Sequence, residues 1–204
     1  MNSVDVIFYI NLASRDDRRI HFLEQISALT SDMSKVVRID AVYNQMGALG
    51  CTTSHIKALE AFIENPAWKT CIVFEDDFTF YDSCQTNNNT LLHKFFLNFT
   101  DWEMLLLASN QLIQGTPTEI PEIQKVNKSQ TTSGYLIHKD VAHKILDNFR
   151  ESAKLLENSG NKQLHALDIY WEKVGLVRYS FTPNMGYQYA SMSDVENRHV
   201  DYRC

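Results

Sequence analysis

This chain of 204 residues has no apolar run long enough to span a bilayer, so we expect no transmembrane segment. Its first residues lack the basic stretch and apolar core of a secretory signal, which favours a cytoplasmic location. The formal net charge is −6, so we expect no nucleic-acid partner held by bulk electrostatics. The four cysteines have no paired spacing, which favours free thiols over a disulfide framework.

Internal repeats and low-complexity segments are absent as well. The hydrophobic content is 44% and the charged content 22%, and both values are typical of a globular protein with one sizeable core. We therefore expect a single domain over residues 1–204, either alone or within a longer polypeptide.

Strand-like and helix-like segments alternate in the first half of the chain and mix in the second. Residues 4–12, 35–41 and 71–74 are rich in β-branched and apolar side chains and predict strands. Apolar residues at helical spacing predict helices over 14–30 and 52–63. This order predicts an α/β fold with a central mixed β-sheet flanked by helices. Later strands are predicted at 102–108, 131–138 and 177–181, and later helices at 91–99, 141–156 and 164–174.

Three consecutive acids, Glu75, Asp76 and Asp77, follow the strand predicted at 71–74. Open α/β sheets bind ligands at the carboxyl ends of their strands. Three like charges at that edge repel one another unless a cation, a proton or a basic group compensates them. The pattern therefore predicts a divalent-metal site, and the alternative is a solvated acidic turn.

Two further stretches have the residue types of an anion site. Asn11 ends the first predicted strand, and Arg15 and Arg19 follow it closely. The commoner fate of helical arginines is pairing with acids on the helix surface, and that alternative stays open here. Gly47 and Gly50 precede a predicted helix start, where a flexible turn suits approach to phosphate or sugar. The stretch has neither a Walker lysine nor the three-glycine dinucleotide pattern.

Other motifs allow two interpretations each. Ser133 and Gly134 lie within a predicted strand, where a glycine marks close approach by a ligand or by another chain segment. Cys51 and His55 have a Cys-x3-His spacing, but no second pair follows, so the spacing argues against a zinc site. We expect His55 to face the site or to cap the helix on which it lies.

These segments, taken in chain order, resemble family 25 glycosyltransferases, which include bacterial lipooligosaccharide and collagen-modifying galactosyltransferases. Compact sequences of this kind also occur in large DNA viruses that glycosylate their own capsid proteins, for which the expected location is the host cytoplasm. The matching residues are 10–12 with 18–19, 47–51 with 54–55, 73–77, 132–137, 167–169 and 193–194.

The resemblance implies a GT-A, Rossmann-like fold and a metal-dependent, inverting transfer. The sugar would pass from a nucleotide-diphosphate donor, expected to be a UDP-sugar, to a hydroxyl of a glycan or glycoprotein. The implied cofactor is Mn²⁺ or Mg²⁺, which are hard ions that prefer oxygen ligands. The alternatives are a binding module with a decayed site and, less favoured, a phosphoryl-transfer enzyme, for which no aspartyl-nucleophile motif is present.

By the same resemblance, Asp77 coordinates the metal and the late His199 supplies a second ligand. Glu75 or Asp76 binds the ribose hydroxyls or a metal-bound water. Asp168 is the general base, and its alternative is an acid that only stabilises a helix N-terminus. The donor is also expected to contact Asn11, Arg15, Arg19, Gly50, Ser133 and Gly134.

Overall fold

A computed structural model of the chain describes residues 1, 3–81, 88–189, 191–193 and 198–200, with the backbone alone for 88, 191–193 and 198–200. The helices are α1 (Asp16–Ser27), α2 (Gly47–Glu64), α3 (Asn88–Asn98), α4 (Lys139–Ser159), α5 (Lys162–His165) and α6 (Leu167–Tyr170), with 3₁₀ turns at Met33–Lys35 and Trp171–Val174. The strands are β1 (Val6–Asn11), β2 (Val36–Asp40), β3 (Thr70–Glu75), β4 (Phe78–Phe80), β5 (Met104–Leu106), β6 (Asn110–Ile113), β7 (Thr116–Pro117), β8 (Ile123–Lys125), β9 (Lys128–Gln130), β10 (Gly134–His138), β11 (Arg178–Phe181), β12 (Gly186–Gln188), β13 (Ser191–Ser193) and β14 (Arg198–Val200).

The main sheet has eight strands in the order β2-β1-β3-β10-β5-β11-β8-β7. Strands β1, β2 and β3 are parallel, while β10 is antiparallel to both of its neighbours, so the sheet is mixed as predicted. Smaller pairs form between β4 and β12, β6 and β9, and β13 and β14. In the described part of the chain, no helix combines the length and the apolar character that a bilayer crossing requires.

Strands β1 and β3 are buried on both faces, which explains their nearly continuous apolar sequences. Because side chains alternate along a strand, Ile7 and Tyr9 enter one core cluster while Val6 and Phe8 enter another. Helices α1 and α3 contribute to the first cluster, and helices α2 and α4 contribute to the second.

Helix α2 starts earlier than its sequence suggests. The predicted glycine turn does not precede the helix, because Gly47 and Gly50 both lie within it. The hydroxyls of Thr52 and Ser54 do not cap the helix but donate to carbonyls four residues earlier, at 2.8 and 2.7 Å. A Cβ at Gly50 would lie 2.6 Å from the carbonyl oxygen of Val42, so this glycine allows the segment after β2 to approach.

The single helix predicted at 164–174 is also wrong. Ala166 is extended, with φ −55° and ψ 143°, and it separates α5 from α6. Prolines and mixed polarity over residues 111–130 predict a hairpin or a long loop, and this stretch includes most of β6 and all of β7, β8 and β9. The polar stretch 82–90 predicts a surface loop; residues 82–87 lie outside the described residues, and 88–90 belong to α3 instead.

Lys139 joins the C-terminal end of α2 to the start of α4. Its ammonium group donates to carbonyls at the C-terminal end of α2, namely those of Phe62, Ile63 and Asn65, the last two at 2.9 Å. These carbonyls lack partners within the helix, and a cation there also opposes the negative end of the helix dipole. Lys139 is the first residue of α4, and it therefore fixes the end of α2 against the start of α4.

We expect Lys139→Met to lower the free energy of unfolding by about 1–2 kcal/mol, because it removes these hydrogen bonds but keeps the aliphatic stem. Urea unfolding measures the change. Lys154→Met, at an exposed position of the same helix, is the matched control and should change stability by less than about 0.5 kcal/mol. Equal effects of the two substitutions would contradict the prediction.

Candidate functional site

A cavity of about 400 Å³ opens at the carboxyl ends of β1, β2 and β3. It lies where the sequence places the ligand edge of the sheet. The first turns of α2 form one wall, and the segment from α5 to α6 forms the wall that carries Asp168. Lining residues that recur below are Arg18, Gly50, Cys51, His55, Glu75, Asp76, Asp77, Thr131, Thr132, Lys162, Asp168 and Gln188.

Asp76 is held by partners on both carboxylate oxygens. The Asn11 amide donates to Oδ2 at 2.7 Å, and Arg18 Nη1 donates to Oδ1 at 3.1 Å. Asn11 is 1% exposed, and its own amide oxygen accepts from Arg38 Nε at 3.0 Å. Burial raises the pKa of Asp76, against the opposing charge of Arg18. Both oxygens therefore have partners within the protein, and these partners hold Asp76 in one orientation.

Asp77 differs from its neighbour because one of its oxygens has no partner. Oδ2 lies 3.2 Å from Arg18 Nη1, whereas the buried Oδ1 has no hydrogen bond. Burial and the nearby charge of Glu75 raise the pKa of Asp77 to about 7. An ionised carboxylate in this position lacks full compensation, and a cation would supply it.

Glu75 contacts the opposite wall of the cavity. Its Oε1 accepts from Thr132 Oγ1 at 2.8 Å and lies 3.6 Å from His55 Nε2. Burial alone would raise the pKa of Glu75, but His55 and the Thr132 hydrogen bond outweigh it and lower that pKa. His55 is completely buried, and its Nδ1 lies 3.0 Å from the hydroxyl of Tyr135.

Asp168 lies in the first turn of α6 and lines the cavity. Its Oδ2 accepts the backbone N–H of Thr131 at 3.2 Å. Thr131 has φ 87°, a left-handed conformation that is strained for a β-branched residue. Burial and the charge of Glu75 raise the pKa of Asp168, and the Thr131 hydrogen bond opposes that rise.

The structure does not bring Arg15 and Arg19 into the cavity. Arg15 pairs with Asp17 at 2.9 Å, and Arg19 pairs with Asp16 at 3.0 Å with its side chain 40% exposed. The Arg19 pair is the surface pair that the alternative interpretation predicted, whereas the Arg15 side chain is only 15% exposed and pairs with the exposed Asp17. The arginine that faces the acids is Arg18, whose side chain is only 12% exposed.

Ser133 and Gly134 lie behind the cavity wall and are completely or almost completely buried. A Cβ at Gly134 would lie 2.7 Å from the ring of Phe78, so this glycine makes room for an aromatic ring and not for a ligand. The carbonyl of Ser133 accepts the N–H of Glu75 at 2.9 Å and so fixes the acid turn. Their expected direct contact with a donor is therefore replaced by a structural role.

The side chain expected to supply a second metal ligand, that of His199, lies outside the described residues. His199 lies in β14 and is paired with Met192 of β13. Gly50 lines the cavity as expected, but as part of a helix. Thr132 and Gln188 also line the cavity, and the sequence did not identify them as site residues. Thr132 lies in a loop and Gln188 in an edge strand, and only the fold shows which residues lie next to them.

The acid turn has the donor set of a hard divalent cation. Asp77 offers a buried carboxylate oxygen without a partner, and the adjacent acids make the local potential negative. Mn²⁺ and Mg²⁺ prefer such oxygen ligands. The residues present therefore fit the cofactor that the sequence implies, with Asp77 as the best protein ligand among the described residues.

Comparison with solved structures supports the fold. The glycosyltransferase GlyE of Streptococcus pneumoniae TIGR4 aligns with a TM-score of 0.51 at 9% identity, over 88% of this chain and 45% of that one. The central mixed sheet with helices on both faces is the GT-A fold that the sequence predicts.

Sequence comparison defines the family. Residues 45–159 match the profile of glycosyltransferase family 25 (LPS biosynthesis protein). Procollagen galactosyltransferases 1-B and 1-A of Xenopus laevis are each 27% identical over an alignment of 177 residues that covers 71% of this chain and 28% of each relative. This chain belongs to glycosyltransferase family 25. It matches less than a third of the length of those two relatives.

The pairing of Arg18 with Asp76 is testable without any ligand. We expect Arg18→Met and Asp76→Asn each to lower the free energy of unfolding by about 2–4 kcal/mol, because each leaves a buried polar partner uncompensated. The double variant should lose less than the sum of the two, with a coupling of about 1–3 kcal/mol. Urea unfolding of all four proteins measures this cycle.

Arg19→Met is the matched control, because Arg19 lies next to Arg18 but pairs on the surface. Its effect should stay within about 0.5 kcal/mol. Additive losses in the double variant, or a loss in Arg19→Met equal to that in Arg18→Met, would show that Arg18 does not compensate the acid turn.

Proposed function

We propose that this chain is a metal-dependent, inverting glycosyltransferase. Its donor is a nucleotide-diphosphate sugar, with UDP as the carrier, and its acceptor is a hydroxyl of a glycan or glycoprotein. The observation that carries the proposal is one cavity lined by both Asp77, with its unpaired carboxylate oxygen, and Asp168, with its raised pKa. Family membership and the GT-A fold support the same chemistry.

The donor diphosphate would bind at the acid turn. Asp77 would hold Mn²⁺ or Mg²⁺, and the metal would neutralise charge that develops on the departing diphosphate. Asn11 and Arg18 keep Asp76 fixed, so that the turn presents Asp77 in one orientation. Positive groups for an anionic donor are Lys162 at the cavity wall and the N-terminus of α2, because Arg18 is already paired with Asp76 and Asp77.

Asp168 is the proposed general base. It takes the proton of the acceptor hydroxyl while that oxygen forms a bond to the anomeric carbon and the bond from that carbon to the diphosphate oxygen breaks. The nucleoside diphosphate leaves with the electron pair of the broken bond. A carboxylate with a raised pKa is a stronger base than one in water, and burial supplies that increase for Asp168.

We expect Asp77→Asn to reduce Mn²⁺-dependent sugar transfer at least ~100-fold, because the amide replaces an anionic ligand of the metal. Release of nucleoside diphosphate from a panel of UDP-sugars, with and without Mn²⁺, measures the loss. Asp147→Asn, an exposed substitution on α4, controls for the same chemical change and should retain activity. Full activity of Asp77→Asn in a folded protein would overturn the assignment of the metal ligand.

A binding module without catalysis is distinguished by the same panel. A donor at 100 times its Kd stabilises the folded protein by about 2.7 kcal/mol, which raises the melting temperature whether or not turnover follows. Stabilisation of the unsubstituted protein by a donor, without transfer or hydrolysis under any metal condition, would reject the enzyme and retain the binding site.

We expect Asp168→Asn to lower kcat by roughly 10²–10⁴-fold, the usual contribution of a general base, with little change in donor affinity. Because Asp168 also accepts the N–H of the strained Thr131, the variant could act through that loop. Thr131→Gly relieves the strain, since glycine adopts positive φ readily. Recovery of activity in the double variant Asp168→Asn with Thr131→Gly would identify Asp168 as a positioning residue and not as the base.

A further inference from the structure

We propose that Cys51, His55 and Glu75 form a second metal site, which takes a borderline-soft divalent cation of the Zn²⁺ class. Each residue offers one ligand atom, and these atoms all lie within 4.8 Å of one another on the wall of the cavity. Sulfur, nitrogen and oxygen ligands together suit Zn²⁺. Mn²⁺ and Mg²⁺ prefer the oxygens offered at Asp77.

His55 gives the strongest indication of a ligand. It is completely buried, yet its Nε2 has no hydrogen-bond partner. A buried imidazole nitrogen without a partner is destabilising, and a metal at that nitrogen would supply the missing partner. The nearest acceptor is Glu75 Oε1 at 3.6 Å, which is beyond hydrogen-bonding distance but fits two ligands of one ion.

The backbone places the ligand atoms near the spacing that a tetrahedral metal site requires. Cys51 and His55 are four residues apart on α2, and residues at that spacing lie on the same face of a helix. Metal–ligand distances of about 2.0–2.3 Å put tetrahedral ligands roughly 3.3–3.8 Å apart. The pair of His55 and Glu75 already meets this spacing, and the widest pair has to close by about 1 Å.

Outer hydrogen bonds orient two of the three ligands. The Tyr135 hydroxyl lies 3.0 Å from His55 Nδ1, which directs Nε2 towards the cluster. Thr132 Oγ1 donates to Glu75 Oε1 at 2.8 Å. Metal-binding histidines and carboxylates have outer partners of this kind in most proteins. Three protein ligands leave the fourth position for water from the cavity, into which all three residues project.

The Cys-x3-His spacing argued against zinc in the sequence because no second pair follows it. The third ligand comes instead from Glu75, at the end of β3, and only the folded sheet brings it next to α2. A cysteine binds a metal as its thiolate, so the Cys51 thiol would release its proton on coordination, and the thiolate and Glu75 together would balance the charge of the cation.

Co²⁺ is the direct probe, because a cysteine ligand gives an intense near-ultraviolet thiolate-to-cobalt band. In a background of Cys84→Ser and Cys204→Ser, we expect one Co²⁺ per chain with this band, and displacement of Co²⁺ by Zn²⁺. Cys51→Ala should abolish the band, while Cys71→Ala, which removes a thiol buried in the sheet, should keep it. Absence of the band in the folded background protein would overturn the site.

Calorimetric titration with Zn²⁺ tests the other ligands. His55→Gln and Glu75→Gln should weaken binding by more than the roughly 10–100-fold expected for Tyr135→Phe, which removes only an outer partner of His55. Asp77→Asn should leave the cobalt band in place, because Asp77 belongs to the oxygen site. If His55→Gln or Glu75→Gln leaves Zn²⁺ binding unchanged, His55 and Glu75 form only an ion pair and the proposed site is refuted. None of these measurements depends on enzymatic activity.

Discussion

The arrangement of this site depends on three consecutive carboxylates, two buried and one partly buried, at the end of a strand that is covered on both faces. Each acid meets a different set of partners, because neighbouring side chains leave the backbone in different directions. Glu75 contacts Thr132 and His55, while Asp76 is held by Asn11 and Arg18. Asp77 shares Arg18 and keeps one oxygen without a partner. The three acids differ in their chemistry because their charges are compensated to different degrees, and not because there are three of them.

The partners of the acids come from separate parts of the chain, so the same contacts that compensate charge also fix the fold around the cavity. Arg18 ties α1 to the acid turn, and Asn11 ties β1 to it. His55 ties α2 to the acid turn, and Thr132 ties the segment before β10 to it. A change in the position of any of these elements would either expose a buried charge or leave it buried without its partner. A buried charge without a partner is costly at low dielectric.

Much of the fold was predictable because its signals are local. Continuous apolar runs identified β1 and β3, and the carboxyl ends of those strands correctly located the cavity. The arginine that faces the acids was not predictable. Positions 15, 18 and 19 are all arginine, and only the rotation of α1 about its axis directs Arg18 inwards. The reason why position 134 requires glycine is the aromatic ring of Phe78 in β4, which is a neighbour in space and not in sequence.

Two adjacent residues, Thr131 and Thr132, connect the proposed base Asp168 to the acid turn. The carboxylate of Asp168 accepts the N–H of Thr131, whose positive φ requires support, and the next residue, Thr132, donates to Glu75. The hydrogen bond stabilises the ionised carboxylate and lowers its pKa, whereas burial raises it, and the net shift is upward. One contact therefore affects both the basicity of Asp168 and the geometry of the loop. A substitution that relaxes Thr131 alters both, because the base and the acid turn share this segment.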